Sequence, residues 1–209
     1  MHLFAYGSLL NPVSLSASLG DVATQGCAPA SCSGLRRHFG VAFPNDGSQP
    51  DKAYYDAAGA RPPVVRFADL RDADANDGGG GVNGVCVPVT EAQLEVLTAR
   101  ELRYDLADVT SLVSPYPQPA AGALERVVVF VGKPRFTRED DVARGVVPEA
   151  YLSLVLDGVR YWDDRCPGFG ADFQRSTDLP AASDVVPLRR MDAAAGRPAP
   201  RTGLRSGAA

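Results

Sequence analysis

The clearest pattern along the chain is a series of short apolar runs that are rich in valine and aromatic residues. Runs of this length, bounded by glycine, proline or polar residues, are typical of β-strands. They predict strands over residues 2–6, 35–43, 63–70, 85–89, 105–113 and 126–131. The last range contains Val127-Val128-Val129-Phe130-Val131. This stretch is continuously apolar and therefore predicts a strand buried on both faces.

Two parts of the chain have signals typical of helices instead of strands. Thr90 and Gln93 have the spacing of a capping box, so a helix is predicted from there to about Leu102. A second stripe of apolar residues repeats at helical spacing behind Pro148, which is tolerated in a first turn. Its members are Tyr151, Val155, Val159 and Trp162. A further short helix is predicted over Phe169–Arg175.

These elements predict an α+β fold, because strands follow one another without the regular helical crossovers of a doubly wound parallel sheet. The length of 209 residues suits one domain. The glycine-rich stretch 72–83 predicts a flexible hairpin-type loop. From about Asp192 the chain has no apolar period. We therefore expect a single domain over residues 1–191 and a disordered tail over 192–209.

Net charge and targeting features limit the classes of partner and the cellular location that the sequence favours. The net charge of -4 offers no overall basic field for nucleic acid or anionic lipid. The sequence contains no run of about 18 apolar residues, so no membrane-spanning helix is expected. The first residues lack the basic region and apolar stretch of a signal peptide. We therefore expect a cytoplasmic protein whose partners include neither nucleic acid nor a membrane.

The cysteines and histidines are too scattered to predict a metal site. Paired spacings typical of zinc ligands are missing, so no metal is expected and the cysteines are interpreted as free thiols. These residues are Cys27, Cys32, Cys86, Cys166, His2 and His38. A cysteine hydrolase would need the fold to bring His38 to one of the thiols, and nothing nearby in the sequence favours that.

The first candidate for chemistry is the segment Tyr6-Gly7-Ser8-Leu9-Leu10 at the end of the first predicted strand. Gly7 can adopt backbone angles that other residues avoid. Successive N–H groups in such a turn can bind an anion or a developing oxyanion. An ordinary strand-end turn is the alternative. Ser8 is a poor candidate nucleophile, because no Gly-x-Ser-x-Gly elbow surrounds it.

The second candidate is Glu101, which falls on the same side of the predicted helix as Leu94 and Leu97. An acid so placed near a core either finds a basic partner or becomes harder to ionise. It is therefore either an acid–base group or one half of an ion pair. The arginines that could pair with it are Arg100, Arg103 and Arg37.

Tyr104 and Tyr151 are a third candidate set, because each offers a ring wall and a hydroxyl group. Core-edge packing is the alternative for both. Arg36 and Arg37 could hold an acidic ligand, or they could lie on a solvated strand face.

Several segments, in their order and spacing, resemble the γ-glutamylcyclotransferase-like family over roughly residues 2–175. The segments are Phe4-Ala5-Tyr6-Gly7-Ser8-Leu9, Gly34-Leu35-Arg36-Arg37-His38-Phe39, Asn83-Gly84-Val85 through Thr90, Leu97-Thr98-Ala99-Arg100-Glu101-Leu102-Arg103-Tyr104, and Val147-Pro148-Glu149-Ala150-Tyr151-Leu152 with Asp157-Gly158. The chain departs from the family pattern at two places. Leu35 stands where an aromatic residue is often found, and Thr98-Ala99-Arg100 replaces an acidic residue before Glu101.

The resemblance implies a small mixed β-barrel with flanking helices. It implies that the catalytic residue is Glu101 and that the substrate-binding residues are Tyr6, Gly7, Ser8, Leu9, Tyr104 and Tyr151. The backbone amides of the opening turn would hold the γ-glutamyl group of a small-molecule substrate. The implied reaction releases 5-oxoproline and a free amine or amino acid from a γ-glutamyl amide or peptide, with no cofactor.

Two other functions remain as alternatives. One is a non-catalytic module on the same scaffold that binds a small metabolite and uses Glu101 only to hold an amine. The other is a hydrolase with Ser8 or a cysteine as nucleophile. The sequence leaves open whether the leaving group is an amino acid, a polyamine or a longer peptide, and it leaves the oligomeric state open.

Overall fold

The computed structural model describes residues 1–20, 25–49, 51–74, 81–116 and 124–192. The helices are α1 (Pro12–Leu19), α2 (Glu91–Arg100), α3 (Glu139–Arg144), α4 (Glu149–Asp163) and α5 (Phe169–Arg175), with 3-10 turns at Ser8–Leu10, Pro134–Phe136 and Ala182–Asp184. The strands are β1 (His2–Ala5), β2 (Ala28–Cys32), β3 (Leu35–Pro44), β4 (Lys52–Tyr55), β5 (Val64–Asp72), β6 (Val82–Pro88), β7 (Tyr104–Asp108), β8 (Val113–Pro115), β9 (Val127–Gly132), β10 (Val147–Pro148), β11 (Val185–Val186) and β12 (Arg189–Asp192).

Six strands form the main sheet, in the order β7-β9-β1-β6-β2-β8. The central strand β1 pairs antiparallel with β6 and parallel with β9. The other described strands form three separate pairs, β3 with β5, β4 with β12 and β10 with β11. The α+β prediction is confirmed. No closed barrel is formed by the pairings of the described strands, so the barrel implied by the resemblance is not confirmed.

The side chains of β1 and of Tyr6, which follows it, alternate between two cores. Leu3 and Ala5 pack with helical residues, whereas Phe4 and Tyr6 pack on the opposite side of the sheet. The same alternation holds in β9, where successive residues of the run Val127–Phe130 are buried in alternate cores. The prediction of a strand buried on both faces is therefore confirmed, and it explains why this strand lacks polar positions.

Most of the predicted elements are present. The capping box at Thr90 and Gln93 is formed, although α2 ends at Arg100, two residues before the predicted end. Helices α4 and α5 begin and end close to their predicted limits. The predicted strand 105–113 is instead two short strands, β7 and β8. The glycine-rich loop is described only at its ends, because residues 75–80 lie outside the described residues. The predicted tail also lies outside them after Asp192.

Helix α4 fixes the segment that follows β1. The Trp162 indole N–H donates to the carbonyl of Leu10 at 2.9 Å, and the Asn11 amide donates to the carbonyl of Leu154 at 3.2 Å. At Gly158 the helix lies so close to this segment that a Cβ would be 2.7 Å from the backbone of Leu10 and of Asn11. Only glycine fits this contact, so Gly158 determines how closely α4 approaches the opening turn.

Replacing Gly158 by valine is expected to lower the free energy of unfolding by about 1–3 kcal/mol, because the added carbons must push α4 away from the Leu10 backbone. Urea denaturation measures the change. Ser153→Val, at an exposed position of the same helix, is the matched control for the helix propensity of valine. Equal stability of the two variants would contradict the packing argument.

Candidate active site

A cavity of ≈ 740 Å³ lies beside the end of β1. It is lined by residues of α1, α2, α4, β1, β3, β4, β5, β7, β9, β10 and β12, and by the turns next to them. Every residue predicted for the site lines this one cavity: Tyr6, Gly7, Ser8, Leu9, Glu101, Tyr104 and Tyr151. The structure thus brings the seven residues together, while their roles in binding and catalysis stay predictions.

The opening turn needs glycine for space rather than for an unusual φ. Gly7 has φ −111° and ψ −133°, so its φ is outside the left-handed region while the pair of angles is neither helical nor standard extended backbone. A Cβ on Gly7 would lie 3.3 Å from the Tyr151 hydroxyl and 3.6 Å from the Cβ of Ala68. Any larger residue would therefore fill the narrow gap between the turn and Tyr151.

The backbone after Gly7 forms the 3-10 turn Ser8–Leu10, which Asn11 joins to α1. The carbonyl of Gly7 accepts from the amide of Leu10 at 3.0 Å. The amides of Ser8 and Leu9 belong to the first residues of this turn, where no earlier carbonyl of the same helix can accept from them. These two N–H groups are therefore suited to donate to a ligand in the cavity.

Tyr6 contributes its ring to the cavity wall, and both of its polar ends are bound to the fold. Its hydroxyl donates to the carbonyl of Phe130 at 2.7 Å, and its carbonyl accepts from Arg37 Nε at 2.8 Å. Burial raises the pKa of this hydroxyl well above its ordinary value, with Asp69 acting in the same direction. Tyr6 is thus placed to shape the cavity, since its hydroxyl is already used by the main chain.

Tyr104 and Tyr151 both dock on the backbone of Ala68 in β5. The Tyr104 hydroxyl donates to the carbonyl of Ala68 at 2.8 Å, and the amide of Ala68 donates to the Tyr151 hydroxyl oxygen at 3.2 Å. Burial raises the pKa of both hydroxyls, so both stay protonated at neutral pH. Because the Tyr151 oxygen accepts in this contact, its own O–H remains able to donate to a ligand.

Glu101 caps the C-terminal end of α2, beyond the fully buried Leu97. Its side chain is 20% exposed, and its Oε1 lies 3.3 Å from Nε of Arg100. Arg100 also donates to the hydroxyl of Ser18 in α1. The ion pair with Arg100, which belongs to the segment that departs from the family pattern, is thus formed. The carboxylate also lines the cavity, while its acid–base role stays a prediction.

Solved structures provide the comparison that decides the fold. The chain is similar to YkqA from Bacillus subtilis, with a TM-score of 0.55 at 17% identity, covering 84% of this chain and 53% of that protein. It is also similar to a γ-glutamyl cyclotransferase, with a TM-score of 0.51 at 11% identity, covering 87% of this chain and 89% of the other. The chain has the γ-glutamyl cyclotransferase fold. The predicted resemblance is thereby confirmed as a resemblance of fold.

The chain spans about half the length of YkqA, at 53%. No protein-family model matches the sequence, and no curated protein matches it. The γ-glutamyl cyclotransferase fold is therefore shown by similarity of the backbone structure and not by similarity of sequence. The chemistry of this chain depends on the residues that line its own cavity.

Within this fold, Arg36 and Arg37 do not form a site for an acidic ligand. Arg37 is completely buried, and Arg36 pairs with Asp178 at 2.7 Å, outside the cavity. Both sequence interpretations are thus wrong for Arg37, which is structural. Leu35, the other departure from the family pattern, is half-buried against the core and does not line the cavity.

Another part of the cavity wall was not predicted from the sequence. There Arg103 donates to both carboxylate oxygens of Asp51, at 2.6 and 2.9 Å, and its guanidinium lies 3.9 Å from the centre of the Phe43 ring. Lys52 and Phe67 complete this wall. From the sequence, Arg103 was predicted only as a possible ion-pair partner of Glu101. No sequence pattern indicated Asp51 or Lys52, because they lie at the start of β4, which is only four residues long.

Neither histidine of the chain lines the cavity. Ser8 therefore has no imidazole beside it to act as a base, which weighs against the hydrolase alternative. In the part of the chain that the structure describes, no group of three or more His, Cys, Asp or Glu residues is placed to hold a metal ion. The described helices are also too short or too polar to cross a membrane.

Proposed function

We propose that this protein is a γ-glutamyl cyclotransferase that converts γ-glutamyl amides or peptides to 5-oxoproline and a free amine or amino acid. The observation that carries the proposal is that Glu101 and the Gly7–Leu9 turn line the same cavity, within a γ-glutamyl cyclotransferase fold. A carboxylate and a set of backbone donors are the groups that an intramolecular acyl transfer requires.

The substrate supplies its own nucleophile. The α-amine of a γ-glutamyl group attacks the γ-carbonyl, a five-membered lactam closes, and the bond to the leaving nitrogen breaks. Because both reacting groups belong to one molecule, the protein needs mainly to fold the substrate into attack geometry. At neutral pH the α-amine is an ammonium and has to lose a proton before it can attack.

Glu101 accepts that proton and then delivers it to the leaving nitrogen. Arg100 holds the carboxylate in the wall of the cavity. The amides of Ser8 and Leu9 donate to the oxygen of the tetrahedral intermediate, a contribution of about 3 kcal/mol for each donor. Tyr104 and Tyr151 contact the substrate, and the O–H of Tyr151 is able to donate to it.

The test is product formation. Purified protein incubated with γ-glutamyl-alanine is expected to release alanine and 5-oxoproline in equal amounts, both measured by liquid chromatography. The same assay with a γ-glutamyl amide of a simple amine widens the search for the leaving group. If no 5-oxoproline forms from either kind of substrate, the proposed activity is wrong.

A binding module is the second candidate, and one contact favours it. The Glu101 carboxylate is already paired with Arg100. An acid held in an ion pair is less available to accept a proton, which suits a site that binds a ligand without reaction. Thermal-shift measurements distinguish the two functions, because a ligand that binds the folded state raises the melting temperature. Stabilisation by 5-oxoproline or a γ-glutamyl amide, without turnover, would favour the binding module.

A further inference from the structure

Lys52 is the one lysine in the wall of the cavity, among the residues that the structure describes. It begins β4, which pairs with the C-terminal strand β12. Its ammonium lies 5.6 Å from the centre of the Phe43 ring and 5.2 Å from that of Phe67. Lys52 thus extends along an aromatic wall with its charged end at the cavity.

The ammonium of Lys52 has no close acceptor in the described part of the fold. The nearest carboxylate oxygen, Asp51 Oδ2, is 3.8 Å away, which is beyond hydrogen-bond distance. Both oxygens of Asp51 already accept from Arg103, at 2.6 and 2.9 Å. The N–H donors of Lys52 are therefore available to a ligand in the cavity.

The charges that face the cavity favour an anionic ligand. Its basic lining residues are Lys52, Arg100, Arg103, Arg189 and Arg190, and its acidic ones are Asp51 and Glu101. The two acids already have partners in Arg100 and Arg103. The γ-glutamyl half of a substrate carries one ammonium and one carboxylate, so it adds no net charge. A carboxylate on the other half of the substrate would therefore supply negative charge that this mainly basic lining lacks.

The neighbours of Lys52 determine how readily it loses its proton. Burial lowers its pKa to about 8, and Arg103 and Arg190 act in the same direction, whereas Glu101 and Asp51 oppose them. Lys52 is therefore charged at neutral pH and becomes neutral under mildly alkaline conditions. A carboxylate brought next to it would favour the charged form.

We propose that Lys52 determines specificity by binding a carboxylate on the leaving half of the substrate. The inference rests on the proposed cyclotransferase activity and names its substrate class. Leaving groups that are amino acids or peptides with a free carboxylate are preferred over neutral amines, and over polyamines, which the basic wall repels.

The experiment compares two substrates that differ only in this carboxylate, γ-glutamyl-alanine and γ-glutamyl-alaninamide. Wild-type protein at neutral pH is expected to prefer the carboxylate form by about 10-fold or more in kcat/KM, the effect of one charged hydrogen bond. Lys52→Met is expected to remove most of the preference, because it lowers kcat/KM for the carboxylate substrate more than kcat/KM for the alaninamide substrate. Lys133→Met, at the other lysine of the chain, is the control and keeps the preference, because Lys133 does not line the cavity.

The pH dependence provides a second, independent readout on the wild-type protein. Below the pKa of about 8 the ammonium is present and the preference is complete, and it declines as the pH rises through that value. Lys52→Arg is expected to keep the preference under alkaline conditions, because a guanidinium stays protonated there. The pH dependence of the wild type and of Lys52→Arg therefore tests the role of Lys52 even if Lys52→Met does not fold.

The outcomes separate the two proposals. If wild-type protein releases 5-oxoproline from both substrates with equal kcat/KM, the role of Lys52 is wrong and the cyclotransferase activity stands. If Lys52→Met lowers turnover of both substrates to the same extent, Lys52 acts at the reacting bond, and the specificity role is also wrong. If neither substrate is converted, the activity itself is wrong and the inference falls with it.

Discussion

Replacing Glu101 by glutamine is expected to lower kcat for 5-oxoproline release by at least about 100-fold, the smaller end of the range for lost acid–base catalysis. Glutamine has nearly the same shape and can still accept a hydrogen bond, so the cavity and the fold should be preserved. It cannot take a proton from the α-ammonium of the substrate or return one to the leaving nitrogen. The loss should therefore fall on kcat more than on KM.

Glu95→Gln is the matched control, because Glu95 is an exposed residue of the same helix and does not line the cavity. It is expected to retain wild-type turnover. Thermal unfolding of all three proteins checks that the Glu101 variant is folded under the assay conditions. Equal activity of Glu101→Gln and wild type would show that another group moves the proton, and the proposed mechanism would then be wrong.

The elements that the sequence predicts best are those whose pattern is determined by burial. Strand β9 is buried on both faces and is continuously apolar, so it is visible without any knowledge of its neighbours. Helix α2 begins with a capping box, and helix α4 has a clear apolar stripe. In each case the local signal agrees with the tertiary environment.

Other elements depend on contacts between distant parts of the chain. Strands β4 and β12 are four residues each and pair only with one another in the described fold, so neither has a pattern of its own. Helix α1 is different, because Asn11 as N-cap and Pro12 at the first helical position are readable signals. The sequence therefore contained evidence for α1 that a search for apolar periodicity overlooks.

The residues of the candidate site also fall into those with a local sequence signal and those that meet only in the folded chain. The turn at Gly7 and the acid at Glu101 can be predicted because each lies at the end of a recognisable element. The wall formed by Lys52, Asp51 and Arg103 could not be predicted, because Asp51 and Arg103 are 52 residues apart and meet only in the folded chain. This part of the cavity wall is therefore known only from the structure.

The complete burial of Arg37 could not be predicted from the sequence. Its guanidinium donates to the carbonyl of Tyr6 at 2.8 Å, to the hydroxyl of Thr177 at 2.6 Å, and to the carbonyl of Asn83. It also lies 4.3 Å from the centre of the Phe173 ring. Burial lowers the pKa of Arg37 to about 9, so it remains charged at neutral pH. Its partners belong to three distant parts of the chain, so no local sequence pattern predicts these contacts.

Replacing Arg37 by methionine is expected to lower the free energy of unfolding by about 3–5 kcal/mol, measured by urea denaturation. Methionine fills part of the same space but leaves three buried acceptors without a donor, each of which costs about 1–3 kcal/mol. Removal of a buried charge offsets part of this cost. Arg37→Lys should be intermediate, because one ammonium cannot reach all the acceptors that a planar guanidinium joins.

The neighbouring Arg36→Met is the control and is expected to cost less, because Arg36 donates to the carbonyl of Arg175 and pairs with the part-exposed Asp178, and such an ion pair contributes about 0–1 kcal/mol. The Arg37 variant should also lose turnover under conditions where it is fully folded, because the bond to the Tyr6 carbonyl holds the chain immediately before Gly7 and the amides of the turn. Unchanged kcat in folded Arg37→Met would mean that α4, through Trp162 and Asn11, is sufficient to position the turn. Equal stability of the Arg36 and Arg37 variants would contradict the structural role of Arg37.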